Sequence, residues 1–193
     1  MELVVIEHGY RLANEGGADM LRGPFWKNYV RSVGSVHGWD DGDPFGVNYV
    51  GHPMQGAVTG FIQVQNDPKY RGLEFNASKE YWKSRLRAMA FSAAFEVQFE
   101  IGPLSEASIG HIQSNGETGI VDWVVTPTIG TGWMIAEDAV DKHLIKRFEA
   151  GHRSRFATAL VRSLLNPSRS FANLMRWKKP WYRDSRDPGV ILH

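Results

Sequence analysis

Two glutamates on one predicted helix, together with one histidine, are the residues of this chain best suited to chemistry. Glu96 and Glu100 are four residues apart in the stretch from Tyr81 to Ser108, so on a helix their carboxylates lie one turn apart on the same side. At that separation both groups can bind one ligand, or one can raise the pKa of the other. With His52 they are the candidate catalytic residues of a hydrolase.

The same side chains predict a metal site with carboxylate and imidazole ligands, for which His111 is the fourth candidate ligand. A metal ion with an open position activates water for attack on an ester or amide bond, as a lipid- or cell-wall-modifying hydrolase requires. The spacing E-x-x-x-E lacks the two histidines of the H-E-x-x-H pattern, so the signal is not specific. It identifies neither a particular metal nor any other cofactor.

A buried polar cluster is the alternative interpretation of these residues, and the sequence favours it. Glu96 and Glu100 fall on the same face of the predicted helix as Trp82, Leu86 and Met89. A buried carboxylate is costly unless it is hydrogen-bonded or paired, so partners are expected nearby. The predicted members of the cluster are Asn48, His52, Glu96, Glu100, Ser105, Ser108 and Asp122.

Two other kinds of site have less support. A serine nucleophile would need Ser105 or Ser108 with a histidine and Asp122, but no G-x-S-x-G motif is present and helix capping explains both serines. The acidic residues from Asp40 to Asp43 resemble the start of a calcium loop, yet the required glutamate is missing. Asp122 and Glu137 are predicted to pair with arginines of the C-terminal region, such as Arg162 or Arg169.

The elements that must position these residues are predicted to be helices. Pro53 is suited to a first helical turn, and Gly56 and Gly60 give a small-residue stripe that lets another helix approach closely. Ser78 is a suitable N-cap for the central helix, and Gly102-Pro103 ends it. The predicted fold is mainly α, a compact helical bundle with a buried polar cluster and an irregular basic C-terminal tail. Its predicted parts are helices in 1–35, a core domain at 36–166 and the tail at 167–193.

Charge is distributed unevenly along the 193 residues. Residues 1–140 carry 10 basic and 17 acidic side chains, whereas residues 141–193 carry 12 basic and 4 acidic ones. The tail can pair with the acidic body or bind anionic lipid headgroups. The candidate residues for binding an anionic surface are Arg169, Arg176, Trp177, Lys178, Lys179, Trp181 and Arg183. Nucleic acid is not the expected partner, because no nucleic-acid-binding motif accompanies the basic tail.

The most apolar stretch, from Gly119 to Ala136, has Asp122 as its single charge. It predicts a buried helix, with a membrane segment as the alternative. The first twenty residues lack the basic start and long apolar run of a secretory signal. The seven tryptophans favour an interface with a membrane or a partner chain. The chain has no cysteine, which excludes disulfides.

Several short motifs occur in a fixed order. They are N-Y-x-x-H-P-x-x-G from Asn48, F-E-x-x-x-E from Phe95, and N-P-S-R-S-F from Asn166. This set resembles an uncharacterised family of bacterial cell-envelope proteins, a domain of unknown function. The resemblance implies a mostly helical protein of the bacterial envelope with a binding, scaffolding or complex-subunit role. It implies no established activity, and the missing signal sequence is a departure from the usual pattern of that family.

Overall fold

The computed structural model describes residues 2–14, 24–103, 105–109, 119–152 and 154–186, and all regular elements in these ranges are helical. The predicted mainly α fold class is therefore confirmed. The helices are α1 (Glu2–Asn14), α2 (Phe25–Gly34), α3 (His52–Asn66), α4 (Lys79–Ile101), α5 (Glu106–Ile109), α6 (Val121–Val140), α7 (Lys146–Gly151), α8 (Arg155–Leu165) and α9 (Pro167–Leu174). A π-helical turn at Val47–Gly51 precedes α3, and another at Asp141–Ile145 joins α6 to α7.

Helix α3 lies at the centre of the bundle and packs against α6, α4 and α9. The predicted small-residue stripe explains the close contact, because Gly56 meets the backbone of Thr126 and Gly130 on α6. Gly60 faces Met134 of α6 and Ala88 of α4. Pro53 lies in the first turn, as its missing N–H allows. The apolar core of the bundle contains Ala57, Phe61, Val64, Tyr70, Ala88, Met134 and Ala172.

Helix α4 begins and ends as predicted but turns a different face to the interior. Ser78 Oγ accepts a hydrogen bond from the backbone N–H of Tyr81 at 3.2 Å, and Gly102 caps the other end. Trp82 and Leu86, predicted to face the core, are 45% and 59% exposed. Their places are taken by residues that bond to α6 or pack tightly, namely Tyr81, Ser84, Arg85, Ala88, Ser92 and Phe99. The predicted burial of Glu96 and Glu100 is confirmed.

Helix α6 covers most of the apolar stretch and continues through Pro127 without a break. It is a partly buried helix of the bundle, in agreement with the preferred interpretation of this stretch. All its ionisable side chains are buried, and these are Asp122, Glu137 and Asp138. Among the described helices none combines the length and apolar character needed to cross a bilayer.

The first part of the basic tail folds back onto the bundle. Residues 167–174 form α9, and the following residues up to 186 are turns that remain attached to the body. Asn166, Ser168 and Asn173 are buried, as is the guanidinium of Arg183. The predicted core domain, residues 36–166, begins in the loop after α2 and ends at Asn166, the single residue between α8 and α9.

Candidate functional site: a buried histidine between carboxylates

Three helices bring one imidazole and two carboxylates together. His52 lies at the start of α3, Glu96 in the C-terminal half of α4, and Asp122 in the first turn of α6. His52 Nδ1 is 3.0 Å from Glu96 Oε1, and His52 Nε2 is 3.4 Å from Asp122 Oδ2. All three side chains are buried. Both ring nitrogens of His52 therefore face a carboxylate inside the bundle.

A fourth acidic residue joins the cluster from the loop that precedes α3. The Asp41 carboxyl contacts that of Asp122 and is itself only partly buried. Asn48 Nδ2 donates to Asp41 Oδ1 at 2.7 Å, and the backbone N–H of Asp43 donates to the same oxygen at 3.0 Å. These two hydrogen bonds fix the orientation of the Asp41 carboxyl beside Asp122.

The environment of His52 favours its charged form. Burial lowers the pKa of the imidazole, but the hydrogen bond and negative charge of Glu96, with further negative charge from Asp122 and Glu106, raise the pKa to about 9. Opposite charges at hydrogen-bond distance outweigh desolvation here because two carboxylates act on one ring. Without another cation at the site, His52 is an imidazolium at neutral pH.

The neighbouring carboxyls of Asp41 and Asp122 shift each other's pKa in opposite directions. Burial and the contact with Asp41 raise the pKa of Asp122 to about 8, although the positive charge of His52 opposes them. For Asp41, burial raises the pKa, but the hydrogen bonds from Asp122, Asp43 and Asn48 outweigh it and the net shift is downward. Two adjacent carboxyls titrate as a pair, and the stronger burial of Asp122 makes its ionisation the more costly of the two.

This arrangement can hold a proton or a metal ion. One ligand atom from each of His52, Glu96 and Asp122 lies within 4.8 Å of the others, which is close enough to surround a single cation. His52, Glu96 and Asp122 are buried, and a surface groove of about 570 Å³ among the described residues opens at the opposite end of α3, away from them. That groove is lined by Ile62, Gln63, Asn66, Asp67, Pro68 and Phe91.

The sequence predicted most members of this cluster. Asn48, His52, Glu96 and Asp122 are brought together, and Glu100 is buried one turn beyond Glu96 but is not one of the three clustered ligands. His111, the other candidate metal ligand, lies outside the described residues.

Ser105 and Ser108 bond to each other at the start of α5. The backbone N–H of Ser105 donates to Ser108 Oγ at 2.8 Å, and that of Ser108 donates to Ser105 Oγ at 3.2 Å. The predicted capping role of these serines is confirmed. Their hydroxyls are bound within the cap, so the structure does not support the serine-nucleophile alternative.

Sequence reasoning missed Asp41. The acidic residues around it resemble the start of a calcium loop, but in the structure Asp40 stabilises a turn, because its Oδ1 accepts the backbone N–H of Gly42 at 3.1 Å. The one feature of the sequence that draws attention to Asp41 is the alternation of acids and glycine from Asp40 to Asp43, which also suggests a calcium loop. That pattern indicated carboxylates on a tight turn but not their proximity to α6.

The predicted pairing of Asp122 with an arginine is wrong, because Asp122 faces His52 instead. Glu137 accepts the backbone N–H groups of Ser168 and Arg169 at 3.0 and 3.1 Å, so it binds the start of α9 rather than a guanidinium. The arginine partners are other acids. Asp138 pairs with Arg85 and Arg169, Asp141 with Arg183 and Arg186, and Glu149 with Arg162 and Arg186.

Some of the residues predicted to bind an anionic surface are covered in these ion pairs, and others are exposed. Arg183 is buried against Asp141, which removes it from any surface. Arg169 and Arg176 are largely covered and pair with Asp138 and Asp184. Trp177, Lys178 and Lys179 are exposed, whereas Trp181 is partly buried and its carbonyl accepts a hydrogen bond from Arg162. Only the exposed members remain candidates for surface contact.

Comparisons with protein-family models, with curated proteins and with solved structures give no match to this chain. The resemblance to a bacterial envelope family therefore stays a prediction based on the motifs given above.

Proposed function

We propose that the protein binds the surface of an anionic membrane through the outward faces of α8 and α9, and that it acts there as a binding or assembly subunit. By the resemblance described above, the membrane belongs to a bacterial cell envelope. The observation that carries this proposal is the reversed polarity of α8.

Helix α8 turns an apolar stripe outward and polar side chains inward. Phe156, Leu160 and Leu164 recur every four residues and are 68%, 46% and 66% exposed. On the opposite side Thr158 and Arg162 are buried, and Arg162 pairs with Glu149. A surface helix of a water-soluble domain has the opposite arrangement. A contiguous apolar stripe of this kind indicates contact with an apolar partner.

Helix α9 follows α8 directly and also exposes apolar side chains. Only Asn166 separates the two helices, and Ser170 Oγ donates to the carbonyl of Ser163 at 3.5 Å. Phe171, Leu174 and Trp177 are exposed at intervals of three residues. The α8–α9 face is defined by the exposed side chains of Phe156, Leu160, Leu164, Leu165, Phe171, Leu174 and Trp177.

Exposed basic residues flank this face in the sequence and favour an anionic membrane as its partner. Arg155 precedes the stripe of α8, and Lys178 and Lys179 follow Trp177. Tryptophan and basic side chains are typical of the membrane–water interface, where each basic residue near an anionic surface contributes about 1 kcal/mol. Full burial of a Leu or Phe side chain contributes about 1.5–3 kcal/mol, so insertion of a few of them gives stable attachment.

Co-sedimentation with vesicles tests the proposal. Wild-type protein should pellet with vesicles of phosphatidylglycerol and phosphatidylethanolamine, and the bound fraction should fall as salt is raised. The double variant Leu160→Ser and Leu164→Ser should lose at least tenfold in apparent affinity. Leu86→Ser is the matched control, because Leu86 is similarly exposed on α4 but lies outside the α8–α9 face.

The electrostatic part of the binding has its own test. Replacement of Lys178 and Lys179 by Gln should weaken binding to anionic vesicles several-fold. The same change at Lys27 and Lys83, which are exposed on α2 and α4, should have little effect. Wild-type protein that stays in the supernatant with anionic vesicles would contradict the proposal. The α8–α9 face would then be interpreted as a contact surface for a partner protein.

The alternative function, a lipid- or cell-wall-modifying hydrolase that uses His52, Glu96 and Glu100, has weaker support. All three side chains are buried, and the described groove lies at the far end of α3. Each of the three is 6% exposed or less, so a polymeric or lipid substrate has almost no surface of these side chains to contact.

A further inference from the structure

Helix α2 and the loop between α2 and α3 expose a second set of apolar side chains, together with charges of opposite sign. We propose that two copies of this chain form a symmetric dimer, in which the basic face of α2 from each copy contacts the acidic, aromatic loop of the other. This surface shares no residue with the α8–α9 face, so the inference goes beyond the membrane binding proposed above.

Helix α2 turns apolar and basic side chains outward. Trp26 and Val30 are 74% and 67% exposed. Lys27 and Arg31 are also exposed, and α2 contains no acidic residue. At about 100° per residue these four positions fall within an arc of about 140°, so they share one side of the helix. The other side holds α2 to the body, because the hydroxyl of Tyr29 donates to the last carbonyl of α4 at 2.6 Å.

The loop after α2 combines exposed aromatic side chains with acidic ones. Phe45 is 74% exposed, and its ring stacks on Tyr49 of the π-helical turn at a centroid distance of 4.7 Å. The indole N–H of Trp39, which is also exposed, donates to the hydroxyl of Tyr49 at 3.3 Å. Asp40 is exposed and Asp43 is half-buried. The loop contains no Lys or Arg, so its charge is negative.

The two surfaces complement each other, and their charges are not paired within one chain. No ion pair in the described part of the chain joins the basic residues of α2 to the aspartates of the loop. Trp39 is five positions after the end of α2, and five residues span at most about 18 Å, so the two surfaces are neighbours.

A surface of this kind fits a second copy of itself. In a symmetric dimer each residue of one copy that contacts a given residue of the other is matched by the reverse contact, so the basic half meets the acidic half twice. Aromatic side chains are enriched in such interfaces, and opposite charges fix their register. An anionic membrane would be repelled by the acidic half, which favours the second copy as the partner.

Sedimentation equilibrium of the full-length protein tests the dimer without vesicles, and therefore independently of membrane binding. Wild type at tens of micromolar should sediment with twice the mass of one chain, and raised salt should weaken the association. The double variant Lys27→Glu and Arg31→Glu should weaken the dimer at least tenfold, because like charges then face each other. The double variant Asp40→Lys and Asp43→Lys should do the same.

A mixture of these two variants gives the decisive comparison. In a mixed dimer the acidic α2 of one chain faces the basic loop of the other, and the remaining two surfaces are unchanged. An equimolar mixture should therefore recover the wild-type affinity, which a loss of folding in either variant could not produce.

The matched control is Lys83→Glu with Arg87→Glu, which reverses an exposed Lys and Arg four residues apart on α4. It should leave the dimer unchanged. A wild type that does not sediment as a dimer, double variants of α2 or the loop that dimerise as tightly as wild type, or a mixture that stays monomeric would each overturn the proposal.

Discussion

At the scale of single residues, the interior of this protein depends on charged groups that neutralise each other. Glu96 is fully buried and bonds to His52, whose pKa is raised to about 9 by its acidic neighbours. Removing one partner of a buried pair leaves the other charge without compensation, which usually costs more than the pair contributes. Glu96 is therefore expected to be necessary for stability whether or not a metal is bound.

The variant Glu96→Gln should lower the free energy of unfolding of the metal-free protein by about 2–4 kcal/mol. The side chain keeps its size, so the loss reflects the missing charge opposite His52. Urea denaturation at neutral pH measures the change. Glu80→Gln is the control, because Glu80 is exposed and pairs with Lys69 at the surface, where an ion pair contributes less than about 1 kcal/mol. An unchanged midpoint for Glu96→Gln would show that its charge is unimportant.

At the scale of helices, the site exists because α3 and α6 approach each other closely. A Cβ atom at Gly130 would be 2.8 Å from the Cα atom of Gly56 and 2.8 Å from the carbonyl oxygen of Pro53. Backbone atoms cannot move aside as a flexible side chain can, so only glycine fits there. The same contact brings Asp122 of α6 beside His52 of α3.

Substitutions at two glycines of α6 should have opposite effects. Gly130→Ala should lower the free energy of unfolding by about 1–3 kcal/mol, because the added methyl group forces the helices apart. Gly132→Ala should raise it by about 0.5–1 kcal/mol, since a Cβ there meets open space and alanine favours the helix. Thermal and urea unfolding of both variants measure the difference. Equal effects of the two substitutions would contradict the close contact.

At the scale of the whole molecule, arginines of the C-terminal region tie it to the acidic end of α6 and to the turn that follows. Burial raises the pKa of Asp141, but the charges of Arg169, Arg183 and Arg186 outweigh burial and bring the pKa below its usual value. Glu149 adds ion pairs to Arg162 and Arg186. The acidic body and basic tail seen in the sequence are thus joined within one structure.

Acid should weaken this connection. Because the pKa of Asp141 is lower in the folded state than in the unfolded one, its stabilising contribution is complete above the unfolded pKa of about 4 and is lost as pH falls through the folded pKa. The free energy of unfolding should therefore decrease below about pH 4, and less steeply in Asp141→Asn. Urea denaturation across this pH range measures both curves. The same slope in both proteins would contradict a role for Asp141.

Truncation tests the importance of the tail for folding. A chain that ends at Asn166 loses the buried residues Ser168, Asn173 and Arg183, so it should lose cooperative unfolding. A chain that ends at Arg186 keeps all described contacts of the tail and should unfold as the full chain does. Calorimetry of the two proteins makes the comparison. Cooperative unfolding of the shorter chain would show that α9 and the turns after it are dispensable for the fold.

The sequence by itself determined the helices and several of their ends. Ser78 could be recognised as an N-cap, Pro53 as a first-turn residue and Gly56 as a point of close approach, because capping, missing N–H groups and absent Cβ atoms act locally. The predicted burial of Glu96 beside His52 also followed from helical spacing and the need of a buried carboxylate for a partner.

Only the tertiary structure decided which face of α4 is buried and which acids meet which bases. Helical periodicity pointed Trp82 and Leu86 inward, but the ion pair between Arg85 and Asp138 turned the polar side of the helix toward α6. Asp41 and Asp122 are 81 positions apart in the chain, and their contact depends on how the loop before α3 packs on α6. Local spacing carries no information about such pairings, because the distance between residues far apart in sequence is set by the packing of whole helices.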